Sequence, residues 1–221
     1  MDGRNELRGL ITLQTGDEKH ESSATSTLDV LQVLYDRILR YRPGEPEWEG
    51  RDRFLLSKGH GPMAFYAVLA AKGFFPRQAL TRFLQRDGIL GGHPDRNHVP
   101  GVEVSTGSLG HGLPMAVGVA YALRAKGFDE QRVVVLTGDA ELNEGSNWEA
   151  ILHAGAQQLG NLTLAVVDNT SGSIPMGSIE EKLAAFGWAA ETVDGRDQDA
   201  LEASFRRRGE RPTAVVARIA V

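Results

Sequence analysis

Cysteine is missing from all 221 residues, which excludes disulfides, thiolate metal sites and a cysteine nucleophile. The absence fits a reducing, cytoplasmic setting. No apolar run comes near the roughly 20 residues needed to span a bilayer. The mixed-charge N-terminus lacks the continuous apolar core of a signal peptide. A basic surface is lacking too: the formal net charge is −5, which argues against a general nucleic-acid binder. The run Arg206-Arg207-Arg208 is short and reads as a solvated helix end. Internal repeats, low-complexity blocks and interdomain linkers are also missing. No G-x-G-x-x-G turn follows an early strand, so a nicotinamide-binding reading lacks its phosphate loop.

What is present is an ordinary globular composition, 41% hydrophobic and 24% charged, at a length that suits one α/β domain over residues 1–221. Leu28, Leu31, Tyr35 and Ile38 fall on one helical face, with Ser26 or Thr27 as the expected N-cap. A short buried strand is expected over 53–57, then helices over 63–71 and 77–85. Residues 87–107 are rich in Gly, His, Pro and Asp, and a loop that long inside a compact domain is usually functional. From Leu109 the pattern becomes regular. A helix to about Lys126 buries Ala116, Val119, Ala120 and Leu123. Strands over 132–137, 162–167, 188–193 and 213–219 alternate with helices over 146–159 and 179–186 and around Leu201 and Phe205. This alternation predicts a doubly wound, mainly parallel sheet flanked by helices. In such sheets ligands bind outside the carboxyl ends of the strands.

Two residues stand where that rule puts a ligand. Asp139 follows Thr137-Gly138 at the end of one expected strand, and Asn169 follows Asp168 at the end of the next. One strand–helix–strand unit takes about 30 residues, so both side chains can emerge on one edge. A carboxylate and an amide oxygen are hard ligands that suit Mg²⁺ or Ca²⁺. The backbone carbonyl of Ser171 would add a third, and two diphosphate oxygens with a water would complete an octahedron. The amides following Asp139 can face phosphate as well.

The segment from Gly138 to Asn169, with its Glu144-Gly145 and Trp148-Glu149-Ala150, resembles the thiamine-diphosphate signature of the transketolase family. Ala140 stands where that motif usually has glycine. Ser57-Lys58-Gly59-His60-Gly61, Gly92-His93-Pro94 and Thr106-Gly107-Ser108-Leu109-Gly110-His111-Gly112 are similar to further family elements, in the same order, and His20 sits where the family has the histidine of its Gly-His element. The resemblance runs over nearly the whole chain.

It implies a thiamine-diphosphate-binding fold, with thiamine diphosphate and Mg²⁺ (or Ca²⁺) as cofactors. It implies that Asp139, Asn169 and Ser171 hold the metal. His60, Gly107, Ser108, Leu109, Gly138, Asp139, Ala140 and Asn169 would contact the cofactor, and His20, His93 and His111 would line the catalytic channel, where a histidine can hold a sugar hydroxyl or carry a proton. Glu144 would lie at a subunit interface. The implied reaction moves a two-carbon ketol unit from a ketose-type donor to an aldehyde acceptor. Only the diphosphate-binding domain is expected here; the pyrimidine-binding and C-terminal domains would come from a separate partner subunit, in a heterotetramer active only when assembled. The segment Leu113-Pro114-Met115-Ala116-Val117 and the helix from Trp148 are the expected interface elements. Two other readings stay open: a component of a two-subunit thiamine-dependent 2-oxo acid decarboxylase or acyl transferase, and a non-catalytic assembly subunit that retains the fold.

Overall fold

The computed structural model describes residues 3–14, 21–128 and 130–219. Five strands form one parallel sheet in the order β1-β2-β3-β5-β4: β1 (Arg53–Leu56), β2 (Val133–Gly138), β3 (Leu162–Asp168), β4 (Ala189–Asp194) and β5 (Thr213–Arg218). All four strand pairings are parallel. Every strand therefore ends on the same edge, as the alternating pattern requires.

Side chains leave a strand on alternate faces, and the two faces build two cores. Phe54, Leu56, Val134, Leu136, Ala165, Val167, Val215 and Ala217 pack beneath α1 (Gly3–Thr12), α2 (Glu21–Val33), α3 (Met63–Ala71) and α7 (Gln198–Arg206). Leu55, Val133, Val135, Leu162, Leu164, Val166, Ala214 and Val216 pack beneath α4 (Gly112–Ala125), α5 (Gly145–Ala156) and α6 (Ile179–Ala185). The central strands are mostly apolar because both their faces are covered. No helix among the described residues is long and apolar enough to cross a membrane.

Three local expectations are corrected. Ser26 and Thr27 are not the N-cap of α2: the helix already runs from Glu21, and both residues are buried inside it. The helix leaves through a π-turn, Leu34–Ile38, closed by the Leu39 amide on the Leu34 carbonyl at 2.8 Å. The segment expected as a helix over 77–85 is a 3₁₀ turn, Arg77–Arg82. α4 starts at Gly112 rather than Leu109, because residues 106–111 are drawn into the turn described below. Elsewhere capping chemistry sets the boundaries. Ser178 accepts the Glu181 amide at the start of α6, and Asp197 accepts the amides of Asp199 and Ala200 at the start of α7.

On the α1–α2 side, the Asp29 carboxylate is buried and paired with Arg4 at 3.0 Å and Arg196 at 2.7 Å. That ties α2 to α1 and to the turn after β4. On the opposite face, α5 lies so close to the segment after α6 that a Cβ at Gly155 would sit 1.8 Å from the Phe186 carbonyl oxygen. Alanine normally stabilises a helix by about 1 kcal/mol over glycine. At this position the sign reverses: Gly155→Ala should lower the denaturant midpoint of the chain, and a raised midpoint would show that the two segments are not in contact.

Candidate active site at the carboxyl edge of the sheet

β2 and β3 stay in register to the end of β2, Gly138 opposite Val167, and the Asp139 amide adds one more bond to the Val167 carbonyl, at 3.0 Å. Asp139 and Asn169 thus follow neighbouring parallel strands, which lie about 4.8 Å apart. Past Asn169 the chain reverses through Thr170, a β-branched residue at φ +54°. Such a conformation costs on the order of 1–3 kcal/mol. It returns the next two residues over Asp139: Ser171 Oγ donates to Oδ1 at 2.7 Å and the Gly172 amide to Oδ2 at 3.0 Å. Asp139 is buried, and Asn169 Oδ1 is buried with no hydrogen-bond partner in the structure. An orphaned carbonyl oxygen of this kind costs about 1–3 kcal/mol and is an open ligand position at the same sheet edge as the Asp139 carboxylate. No cluster of three or more His, Asp or Glu side chains gathers as metal ligands among the described residues. The donor set is therefore two hard side-chain oxygens that need a ligand's own oxygens to fill a cation's shell, a set that fits a metal–diphosphate.

Two glycine-rich turns close around this edge. After β1, the Ser57 and Lys58 amides both reach the Leu136 carbonyl, at 2.9 and 3.1 Å. Gly59 then meets Gly107 backbone to backbone: a Cβ at Gly59 would lie 2.7 Å from the Gly107 nitrogen. Gly107 itself is at φ +148°, and a Cβ there would strike the His93 ring at 2.8 Å. Thr106 Oγ1 donates to the Leu56 carbonyl at 2.7 Å. The rings of His60 and His93 meet edge to face, with centroids 5.2 Å apart. The structure therefore brings His60, His93, Gly107, Gly138, Asp139 and Asn169 to one edge.

The remaining expected site residues are placed less tightly. His20 lies outside the described residues. Ser108 is exposed and Leu109 half-buried on the same turn as Gly107. His111 is exposed at the start of α4, with Nδ1 3.2 Å from the Leu109 carbonyl. Ser171 is exposed and engages Asp139 through its hydroxyl. Ala140 opens an ordinary right-handed 3₁₀ turn, Ala140–Asn143, so no glycine is required by the backbone there. Glu144 is exposed at the N-cap of α5. In the expected interface segment, Leu113, Ala116 and Val117 are used up in the chain's own core; Trp148 lies beside an apolar groove with Met176, Ala185 and Phe186.

Two charged residues at this edge escape a sequence reading. Lys58 is buried, its stem packed on the Gly138 Cα, where a Cβ would meet Cε at 3.1 Å. Burial pushes its ammonium down to about 8, against the pull of Asp139 and Glu141. Glu141 is buried, and burial raises its carboxyl, opposed by donors from Ser57, Gly110 and Gly138. The one signal for either was that each stands inside a glycine-bearing motif; an acid or a lysine at a turn otherwise reads as solvated.

Residues 7–221 match the family described as Transketolase, thiamine diphosphate binding domain. Among similar proteins, one named ferredoxin fas2 from Rhodococcoides fascians is 48% identical over 97% of this chain and 71% of its own length. The 6-deoxy-6-sulfo-D-fructose transketolase subunit SqwG of a Clostridium species is 36% identical over 86% of this chain and 73% of its own. A solved transketolase from Pichia stipitis superimposes with a TM-score of 0.85 at 26% identity, over 97% of this chain. One from Leishmania mexicana gives 0.80 at 27%, over 98%. The chain spans only about a third of these solved chains, 35% and 37%.

If the Asn169 carbonyl is kept for a ligand and not for folding, Asn169→Leu should leave the unfolding free energy of the chain unchanged within about 1 kcal/mol or raise it. Equilibrium denaturation measures this, and a loss of several kcal/mol would make Asn169 a residue of the core.

Proposed function

The chain belongs to the transketolase family, in the part that binds thiamine diphosphate, and from that premise we propose that it is the diphosphate-binding subunit of a heteromeric transketolase. It would move a two-carbon ketol unit from a ketose-type donor to an aldehyde acceptor, together with a separate subunit that carries the pyrimidine-binding and C-terminal domains. The observation that carries this reading is that the buried Asp139 carboxylate and the orphaned Asn169 carbonyl follow the ends of two adjacent parallel strands. Relatives named as transketolase subunits support the two-chain arrangement. Besides the sulfofructose protein, an apulose-4-phosphate transketolase subunit of Actinobacillus succinogenes is 38% identical over 80% of this chain.

In this reading Asp139 and Asn169, with the Ser171 carbonyl, hold Mg²⁺ (or Ca²⁺) against the diphosphate. The backbone of Gly107, Ser108, Leu109, Gly138 and Ala140 approaches the cofactor where side chains would obstruct it. His60 donates a hydrogen bond to an anionic oxygen, a charge-assisted contact. Lys58 adds a buried positive charge beside two carboxylates. His20, His93 and His111 orient donor hydroxyls and hold or pass protons. When bound, thiamine diphosphate supplies an electron sink for the carbanion left by carbon–carbon cleavage.

On the sheet face covered by α4, α5 and α6, Tyr121 on α4 and Leu152 on α5 are exposed large hydrophobics, and Trp148 and Phe186 line an apolar groove. A partner subunit would cover them, in a heterotetramer of two such chains and two partners.

The test is reconstitution with the partner and calorimetry against thiamine diphosphate, with and without Mg²⁺. Metal-dependent binding is expected, weakened on the order of 30–100-fold by Asp139→Asn, which removes the charged ligand. No heat for the wild-type assembly would end this proposal. A donor panel should show ketose cleavage without carbon dioxide release, and only with both subunits present. Carbon dioxide from a 2-oxo acid would move the enzyme to the decarboxylase class, binding without turnover would give the chain an assembly role, and turnover by the single chain would remove the partner requirement.

A further inference from the structure

Glu141 is 1% exposed, and its carboxylate is reached from three parts of the chain. Ser57 Oγ, just past β1, donates to Oε1 at 2.5 Å. The Gly110 amide, in the turn before α4, donates to the same oxygen at 3.0 Å. The Gly138 amide, at the end of β2, is 3.4 Å from Oε2. These three segments also carry His60, Gly107 to Leu109, and Asp139, the residues turned toward the proposed diphosphate. A second layer backs the contact. Ser146 Oγ donates to the Gly110 carbonyl at 2.7 Å, so Gly110 is held through both its amide and its carbonyl, and Asn147 Nδ2 donates to the Glu141 carbonyl at 2.7 Å.

Stability alone does not account for this arrangement. A buried carboxylate costs several kcal/mol in desolvation, and an apolar residue of similar size is often as stable or more so. What the carboxylate offers instead is acceptor capacity: two donors on one oxygen and one on the other, which neither an amide nor an apolar side chain provides. Backbone bonds tie the Ser57 and Gly138 segments to the sheet, whereas the Gly107–Gly110 turn lies outside it. They lie against each other through glycine backbone, with Gly112 so close to Ser57 that a Cβ would fall 2.3 Å from Oγ. Groups that recognise an anion must be held to within a fraction of an ångström.

We propose that Glu141 is the positioning residue of the cofactor site: its carboxylate sets the Ser57–His60, Gly107–Gly110 and Gly138–Asp139 segments at the mutual distances that the diphosphate requires. This rests on the thiamine diphosphate reading above. It assigns Glu141 a role that is felt at the diphosphate end of the cofactor and not at its ring end.

The test compares the wild-type assembly, Glu141→Gln and Ser57→Ala, each reconstituted with the partner and Mg²⁺. Dissociation constants are measured for thiamine diphosphate and, by competition, for thiamine without its diphosphate. Glu141→Gln keeps the shape but sets an amide N–H₂ or a single oxygen against three donors. Affinity for thiamine diphosphate should fall at least about tenfold, and several-fold in Ser57→Ala, while thiamine changes less than about twofold. Unaltered thiamine diphosphate affinity in Glu141→Gln overturns the proposal, and so does an equal loss for both ligands, which is what a loosened fold would produce. If Glu141→Gln does not fold, Ser57→Ala decides alone, by the same two criteria. No binding by the wild type instead removes the cofactor reading and this role with it, an outcome distinct from a wild type that binds beside variants that bind equally well.

Discussion

The parallel pairing of β2 with β3 is the constraint on which the site depends. Parallel strands direct all their carboxyl ends to one edge, and the register that puts Gly138 opposite Val167 sets Asp139 level with Asp168, with Asn169 one residue further along the same edge. No other element contributes as much to the candidate metal site. The ladder is secured by burial on both faces: Val133 to Leu136 and Leu162 to Val167 are all closed to solvent except for slight exposure at Thr163, so a slip in register would misplace two cores at once.

Around that edge the chain spends conformational energy locally and recovers it elsewhere. Thr170 holds an unfavourable backbone conformation, the Asn169 carbonyl goes without a partner, and two ionisable groups, Lys58 and Glu141, are withdrawn from water. Each departs from what a sequence optimised for stability alone would choose, and all cluster at the carboxyl edge of β1, β2 and β3. Positive-φ residues and orphaned polar atoms occur elsewhere too, at Leu84, Gln158 and Asn161, but here they coincide with two buried ionisable groups, a combination that suits a site built to receive a ligand. The glycine turns serve the same end by bringing backbone against backbone, as at Gly59 and Gly107.

The relation to larger proteins follows from the same geometry. The chain superimposes on about a third of the length of two solved transketolases, and its candidate site edge carries His111 and His93 exposed. In the proposed enzyme a partner would close that edge and supply the groups that act on the other end of the cofactor. Tyr121 on α4 and Leu152 on α5 are also left exposed.

Hydrophobic periodicity alone determined the five strands, their parallel class and most of the helices, because apolar runs and helical stripes are local properties that a chain cannot hide. Motif spacing singled out Asp139 and Asn169 for the same reason: the length of one crossover unit is written in the residue count. Cap positions were less legible. Ser26 and Thr27 look like an N-cap but lie inside α2, where tertiary packing extends the helix past its local signal; the turn at 106–111 likewise delays α4. The tertiary structure alone decided the roles of Glu141 and Lys58, since a carboxylate becomes a buried junction only when segments up to 84 residues apart meet around it. It alone also showed that Leu113 and Val117 belong to the chain's own core. An apolar residue's sequence neighbours show that it seeks cover, but only the fold settles which surface provides it.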